Sequence, residues 1–454
     1  MIDRYISRYL SITAPAPLEG AYFDTAAKVI ACAGQDEWGA AEFGLLAFLG
    51  KRVEISSCLY GSYLSSGRRA STELMGDAPS TLALLLLMKD MTRLVQARSF
   101  AEAAKRLNAV LKLLDFLRER SVDLEQDLVG FVQAAAGNFF TGYIRPSPPS
   151  ATSVPLFAKG SGESTLPLTV LFWEGPIARA YLATLKDMGL VPERIIQLIS
   201  AKDLASKKPV GRLLPHGLRL AYAQSRQRNS IHYWSGVLQR TEANLYRGMR
   251  KEVENAFGFS SEVIDDALAL RDLKEYSANI EQLLVDDLGD ERLLARLASL
   301  PDSQILFTGG GIVPKTLLEL QHLKFIHVHP GFLPDVRGAD CALWSQLMKG
   351  CTSATCFYMA PGLDDGDVIH PAWLPVLRFR TDTAAIEQKS LYRAVYAFFD
   401  PWVRATVLRQ AILLSDGFTK IKATSQTEEN SVTYHFMHEL IQRAAFETLF
   451  QKVD

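Results

Sequence analysis

The sequence predicts an α/β protein dominated by a doubly wound, Rossmann-like sheet and preceded by a mostly helical N-terminal domain. In the larger part of the chain, strand-like apolar runs alternate with helical patterns, which is typical of a parallel sheet. Before it, apolar residues from Phe100 to Leu117 recur at three- and four-residue steps, as on one face of a helix. A Pro/Gly/Ser-rich linker, residues 145–167, separates the two regions. We therefore expect domains at 1–144 and 168–414.

The first half of the predicted sheet follows the linker directly. Leu168–Glu174 is apolar and suits a strand, Gly175 and Pro176 form a turn, and Ile177–Met188 has helical periodicity. Ile195–Ile199 predicts a second strand. A long helical stretch, residues 218–276, then interrupts the alternation and is interpreted as an insertion.

The alternation resumes with ILFTGGG, in which a strand runs into consecutive glycines. Asp382 or Thr383 is the expected N-cap of a long helix, and Pro401 is expected to kink or restart it. A C-terminal helical tail is expected at 415–454. The other elements predicted in this part of the chain are a helix at Pro314–Leu320, strands at Phe325–His329, Ala354–Met359 and Val368–Val376, and helices at Ala384–Phe399 and Val432–Leu449.

Composition narrows the class of protein. With 48% hydrophobic and 22% charged residues among 454, disorder as the main state is excluded. Lys+Arg 49 against Asp+Glu 50 gives a net charge of −1, which argues against a nucleic-acid partner. The five cysteines lack CxxC spacing, which is typical of reduced thiols and not of a disulfide framework. The longest apolar run, Leu82–Met88, is too short to cross a membrane. We expect a cytoplasmic protein without membrane insertion; a homo-oligomer is compatible with this sequence.

Three segments carry the candidate chemistry. In the first, Gly309, Gly310 and Gly311 follow a strand, where backbone N–H groups can approach a ligand closely. A tight turn alone is the alternative interpretation. The patterns GxxxxGK[ST] and GxGxxG are both absent, which argues against a nucleoside triphosphate cradle.

The second and third segments supply histidines and carboxylates. His327 and His329 lie two residues apart on a predicted strand and therefore share a face, where they suit proton transfer or metal binding. Asp364, Asp365 and Asp367 surround a glycine on a turn that enters the next strand. A carboxylate beside an imidazole orients the ring and raises its pKa, which is the arrangement of a general acid/base pair.

Together these segments resemble the folate-dependent formyltransferases, the family of methionyl-tRNA, glycinamide ribonucleotide and amino-sugar formyltransferases. That family carries a strand ending in Asn-x-His, a turn with Leu-Pro and Arg-Gly, and later a Leu-Asp-x-Gly loop. The likeness runs over about residues 168–414, apart from the helical insertion. The matching residues here are His329, Phe332-Leu333-Pro334, Arg337-Gly338-Ala339-Asp340 and Gly362-Leu363-Asp364-Asp365-Gly366-Asp367.

The resemblance implies transfer of a formyl group from 10-formyltetrahydrofolate to a substrate amine. It implies that His329 and Asp364 assist proton transfer. His327 stands where the family has the Asn that holds the developing oxyanion, and it is expected to donate a hydrogen bond instead. Gly331 replaces the family's usual Ser. The residues expected at the folate pocket are Gly309, Gly310, Gly311, Ile312, Ala360, Pro361, Gly362 and Leu363.

The acceptor is expected to be a small or nucleotide-linked amine. Arg212 belongs to a basic stretch that suits a phosphate, with solvated surface as the alternative. The other expected substrate-binding residues are Gly175, Pro176, Arg337 and Gly338. Methionyl-tRNA is disfavoured because the region after Leu414 is short and looks helical.

Two other functions stay open from the residues. One is a catalytically degenerate or redirected family member that acts as a binding module. The other is a metal-dependent hydrolase that uses His327 and His329 as ligands.

Overall fold

The computed structural model describes residues 163–427 and 431–451 and most of 84–153. The chain divides into two compact units, Met1–Pro146 with Val432–Ala444, and Ser147–Ser431 with Ala445–Asp454. The predicted N-terminal helical domain is described only in part. None of the described helices combines the length and the hydropathy needed to span a membrane.

Two helices of the first unit are described in full, α1 (Phe100–Glu119) and α2 (Gln126–Gly142). The predicted apolar face of α1 is confirmed, because Leu107 and Leu117 are fully buried. Buried Asn108 on this helix donates to the carbonyl of Phe436 at 3.0 Å. Its side-chain oxygen accepts from the backbone N–H of His438 at 2.7 Å, which ties the later segment of the chain to α1.

The second unit is built on a seven-stranded sheet with the order β3-β2-β1-β4-β5-β7-β8. β1 to β5 run parallel to one another, whereas β7 is antiparallel to β5 and to β8. The strand order reverses direction at β1, so the predicted doubly wound topology is confirmed. The strands of this sheet are β1 (Ser164–Trp173), β2 (Leu190–Ser200), β3 (Ile280–Val285), β4 (Ser303–Phe307), β5 (Leu323–His329), β7 (Ser353–Tyr358) and β8 (Val368–Trp373).

Helices cover the sheet because its inner strands are buried on both faces. The helices of the second unit that the structure describes are α3 (Pro176–Asp187), α4 (His216–Thr241), α5 (Ala243–Phe257), α6 (Ser261–Leu268), α7 (Glu291–Ala298), α8 (Lys315–Leu318), α9 (Cys341–Lys349), α10 (Gln388–Ala394) and α11 (Asp400–Leu414). A further helix, α12 (Glu439–Leu449), contains residues of both units. The remaining elements are a 3₁₀-helix at Leu273–Glu275, a π-helical segment at Val395–Phe399 between α10 and α11, and four two-residue strands, β6 (Arg337–Gly338), β9 (Phe379–Arg380), β10 (Thr433–Tyr434) and β11 (Phe450–Gln451).

Several predicted boundaries were wrong. The helix expected from residue 384 begins only at Gln388, and Asp382 instead accepts from the N–H of Ala384 at 2.9 Å, which forms a turn. Pro401 lies in the first turn of α11, where it restarts the helix. The helix expected from Val432 begins at Glu439.

Candidate active site

The candidate site lies where β5 ends. His329 is the last residue of β5, and its side chain is buried. β5 runs parallel to β4 on one side and antiparallel to β7 on the other. The carboxyl ends of parallel strands are the edge at which open α/β sheets bind ligands. The backbone therefore brings the histidine to the edge where chemistry is expected.

His329 contacts an acceptor with each ring nitrogen. Nδ1 lies 3.3 Å from Oδ1 of Asp364, and Nε2 lies 3.1 Å from the carbonyl oxygen of Val336. Carboxylates and carbonyls only accept, so both contacts are hydrogen bonds when both nitrogens carry hydrogen. The geometry therefore suits the imidazolium form. The predicted pairing of His329 with Asp364 is present in the structure.

The carboxylate of Asp364 is held in its ionised form. Burial alone raises the pKa of this carboxyl, but the charge and hydrogen bond of His329 outweigh it. The backbone N–H of Gly338 adds a 2.9 Å hydrogen bond to Oδ2. Together these contacts lower the pKa of Asp364 to about 2. Asp364 is thus an anion beside the ring of His329 at neutral pH.

The loop that carries Asp364 is held in place by hydrogen bonds from Arg337 and Gln426. Arg337 donates to Oδ1 of Asp365 at 3.1 Å and to the side chain of Gln426 at 2.9 Å. Gln426 in turn donates to the carbonyls of Asp364 at 3.0 Å and Gly366 at 2.7 Å. Arg337 and Gly338, which the sequence analysis assigned to substrate binding, contact this loop in the structure. Their predicted substrate contacts stay a prediction.

His327 is held differently from His329. Its ring lies between Phe307 and Phe357, with centroids 5.8 and 6.1 Å away. Nδ1 lies 3.2 Å from the carbonyl oxygen of Phe307. Burial lowers the pKa of His327 to about 3, and the nearby charge of Arg404 contributes. The side chain is therefore neutral and is fixed by a backbone carbonyl.

Gly331 allows the turn after β5 to approach the ring of His329. A Cβ at this position would overlap the carbonyl oxygen of Val336 and come within 2.7 Å of Nε2. The turn is fastened to β7 by Thr355, whose hydroxyl donates to the carbonyl of Gly331 at 2.7 Å. The hydroxyl oxygen of Thr355 also accepts a hydrogen bond from the N–H of Leu333 at 3.0 Å. The departure from the family's Ser is thus linked to the contact between Val336 and His329.

An ion pair on α11 is hydrogen-bonded to the backbone of β5. Arg404 donates from Nε to Asp400 at 2.8 Å and from a terminal nitrogen to the carbonyl of Val328 at 2.8 Å. Val328 is the residue between the two histidines. α11 therefore fixes the strand end on which both rings stand. The sequence analysis did not find this pair, although its four-residue spacing on a helix was a usable signal.

The two segments expected at the folate pocket line different cavities. Gly310 lines a cavity at the carboxyl ends of the strands together with Trp173, Lys202 and Phe307. Ala360 lines another cavity, next to Phe325 and the later part of the Asp364 loop. Ile312, Pro361, Gly362 and Leu363 are exposed. Their role in folate binding stays a prediction.

The predicted substrate residues Gly175 and Pro176 adjoin a charged cluster. Glu174 is buried and receives two hydrogen bonds from Arg179, at 2.8 and 2.7 Å. His232 of the insertion helix α4 lies 3.0 Å from the same carboxylate. Burial raises the pKa of Glu174, but the hydrogen bonds from Arg179 and His232 outweigh this and bring it to about 2.

Pro176 itself lines a cavity beside Arg179, His232 and Trp402. Arg212 is exposed, on the loop before α4.

Backbone groups are the main part of the site that the sequence did not indicate. The carbonyls of Val336 and Phe307 position the rings of His329 and His327. Every residue has a carbonyl, so residue type does not indicate which one makes such a contact. Within the described part of the chain, no group of three His, Cys, Asp or Glu side chains has the arrangement of a metal site. The hydrolase alternative therefore has no such ligand set among these residues.

Comparison with known proteins gives matches around this site. The family model described as formyl transferase matches residues 285–398, which include both histidines and Asp364. A methionyl-tRNA formyltransferase from Syntrophus aciditrophicus is 40% identical over 77 residues, 17% of this chain and 25% of that protein. Another, from Clostridioides difficile, is 39% identical over 83 residues, 18% of this chain and 26% of that protein.

A solved sugar N-formyltransferase from Shewanella is 10% identical and has a TM-score of 0.33. The match covers 63% of this chain and 89% of that one. The chain spans only about a quarter of the length of the two methionyl-tRNA formyltransferases. Residues 285–398 of this chain are therefore similar to the formyl transferase family.

Proposed function

We propose that the second unit is an N-formyltransferase that moves a formyl group from 10-formyltetrahydrofolate to an amine. The observation that carries this proposal is the buried His329–Asp364 pair at the end of β5, inside the segment that matches the formyltransferase model. Its two named relatives are formyltransferases, which supports the same class of reaction for this chain.

In this reaction the amine attacks the formyl carbon, and the bond from that carbon to the folate nitrogen breaks. One proton must leave the amine nitrogen, and one must reach the folate nitrogen. We assign both movements to His329. The ring gives its Nε2 proton to the departing folate nitrogen and regains a proton from the newly bonded amine nitrogen. Asp364 keeps the ring oriented through Nδ1, and the products are tetrahydrofolate and a formamide.

We place the acceptor at the carboxyl ends of the parallel strands. The cavity there is lined by Trp173 and Gly310, by Lys202 and Lys207, and by Asp203, Asp286 and Asp287. Lysine side chains suit a phosphate group, which supports a small or nucleotide-linked amine as the substrate. The net charge of −1 gives little attraction for a polynucleotide, so methionyl-tRNA is the weaker candidate.

Replacing Asp364 with Asn tests the proposed role of the pair. Asp364 has a positive φ of 54°, a conformation that Asn tolerates as well as Asp, so the variant removes charge without changing the backbone. We expect a rate of formyl transfer lower by about 10²–10⁴-fold, the usual contribution of acid/base catalysis. The measurement is tetrahydrofolate release from 10-formyltetrahydrofolate with a panel of amines, including aminodeoxy sugar nucleotides.

Asp416→Asn is the matched control, because Asp416 also has a positive φ, of 51°, and lies exposed beside Lys420. It should transfer the formyl group at the wild-type rate. Calorimetry with 5-formyltetrahydrofolate should show saturable binding to the wild type. A well-folded wild type that does not bind this compound would contradict the proposal and favour the degenerate binding module.

A further inference from the structure

The two histidines of β5 differ in what their ring nitrogens contact. Both nitrogens of His329 face protein acceptors, Asp364 and the carbonyl of Val336. His327 contacts one acceptor only, the carbonyl of Phe307, through Nδ1. The ring of His327 is not fully buried, since it is of intermediate exposure. Nε2 of His327 therefore faces no protein acceptor among the described residues and can meet a ligand directly, whereas Nε2 of His329 must first leave the carbonyl of Val336.

The contact with Phe307 determines the tautomer of His327. A carbonyl oxygen accepts but cannot donate, so Nδ1 must carry the hydrogen in this 3.2 Å contact. A neutral imidazole carries one hydrogen, and Nε2 then has only a lone pair. The environment keeps the ring neutral, because burial and the charge of Arg404 lower its pKa to about 3. The nearby Asp364 charge acts in the opposite direction but does not outweigh them.

A lone pair at Nε2 cannot stabilise an oxyanion. The amide of an Asn offers N–H donors to a developing negative charge, whereas Nε2 of His327 in this tautomer would repel it. An amine presents the opposite chemistry, because each N–H is a donor that needs an acceptor. The ring nitrogen thus fits the nucleophile of the reaction and not the formyl oxygen.

We propose that Nε2 of His327 accepts a hydrogen bond from the acceptor amine and so orients its lone pair toward the formyl carbon. This inference rests on the proposed function. It replaces the role of oxyanion donor that the sequence predicted for this residue. His327 then acts as a residue that binds and positions the nucleophile, while His329 moves the protons.

Nitrogen NMR on protein labelled with ¹⁵N-histidine tests the tautomer directly. We expect His327 to have a directly bonded proton on Nδ1 and an unprotonated Nε2 at pH 7.5, both in the free protein and with 5-formyltetrahydrofolate bound. The His327→Phe variant identifies the signal by its loss. Protonation of Nε2 in either sample would overturn the inference. The free protein gives this result even if the folate compound does not bind, so the two proposals can fail separately.

Binding and kinetics of the same variant test the partner of Nε2. Phe preserves ring packing between Phe307 and Phe357 but removes the acceptor. We expect the Kd for 5-formyltetrahydrofolate to stay within threefold of the wild type. With the amine that the panel identifies, we expect KM to rise at least tenfold. A larger loss of folate affinity, or an unchanged KM for the amine, would overturn the inference. Matching thermal unfolding curves exclude a general loss of structure.

Discussion

At the scale of single residues, the contact between His329 and the carbonyl of Val336 occupies the ring nitrogen to which we assign the proton transfer. Nε2 is 3.1 Å from that oxygen, so in the proposed reaction a ligand atom must replace the carbonyl before the proton can leave. Gly331 lies against both groups and leaves room for no side chain. The residue that the family usually has here, a Ser, would not fit this arrangement of the turn.

Gly331→Ala is therefore expected to destabilise the protein. The added Cβ overlaps the Val336 oxygen, a backbone atom that cannot move without shifting the turn. We expect the free energy of unfolding to fall by about 1–3 kcal/mol, the usual cost of overpacking. Urea unfolding followed by circular dichroism measures this change.

Gly310→Ala is the matched control for this substitution. A Cβ at Gly310 meets nothing within 4 Å, so we expect a change within about 0.5 kcal/mol. Equal losses in the two variants would show that steric overlap at Gly331 is not the cause.

The pairing of His329 with Asp364 was predictable because both residue types suit acid/base chemistry and both lie beside apolar strands. The approach of Val336 was not predictable, because it depends on the path of a turn rather than on any side chain. The same is true of the Phe307 carbonyl, which determines the tautomer of His327. The structure thus places His329 and Asp364 in contact, as their residue types predicted. The direction of the hydrogen bond at His327 could be determined only once the position of the Phe307 carbonyl was known.

At the scale of elements, the end of β5 depends on α11. Arg404 reaches across from α11 to the carbonyl of Val328, and its charge is balanced by Asp400 on the same helix. The Asp400 side chain is buried, with an exposed fraction of 2%, and that of Arg404 is 12% exposed. Removing one partner leaves the other charge in a poorly solvated position, which is more costly than removing both.

Arg404→Met should therefore lower the free energy of unfolding by about 3–5 kcal/mol, because buried Asp400 loses its counter-ion. The double variant Arg404→Met/Asp400→Asn should recover at least half of this loss, since it leaves no buried charge. Chemical unfolding of the wild type, both single variants and the double variant forms a complete cycle. Additive effects of the two substitutions would contradict a coupled ion pair.

The strands that are buried on both faces were easier to predict from the sequence than the strand at the edge of the sheet. The inner strands β1, β4 and β5 are apolar on both faces, and their sequences predicted them. β3 lies at the edge of the sheet and contains Glu281 and Gln282, so its pattern lacks a continuous apolar run. Within the predicted insertion, the structure has three separate helices, because Gly258 ends α5 in a left-handed conformation.

At the scale of the whole second unit, the insertion is joined to the sheet domain through charge. His232 and Arg228 of α4 both approach the carboxylate of Glu174, which follows β1 directly. Arg179 of α3 binds the same carboxylate and also donates to the carbonyl of Arg271 at 2.7 Å, beyond the end of α6. The helical insertion that the sequence analysis predicted is thus connected to β1 through the buried carboxylate of Glu174.

This arrangement predicts how the stability of the unit depends on pH. The pKa of Glu174 falls from its ordinary value of 4.5 to about 2 in the folded protein. Since the folded-state pKa is depressed, the stabilisation is fully present above pH 4.5 and is lost as pH falls through about 2. A shift of this size corresponds to about 3 kcal/mol at neutral pH.

Glu174→Gln should lose this contribution, so its unfolding free energy should lie about 3 kcal/mol below that of the wild type at pH 6. The difference should shrink by about half at pH 3, because the unfolded wild type then binds a proton that the folded state excludes. Glu319→Gln is the control: Glu319 is exposed and pairs with Lys315 on the surface, so its change should be within about 0.5 kcal/mol at both pH values. A Glu174→Gln loss that is the same at pH 6 and pH 3 would mean that packing, and not the charge of Glu174, joins the insertion helix to the sheet.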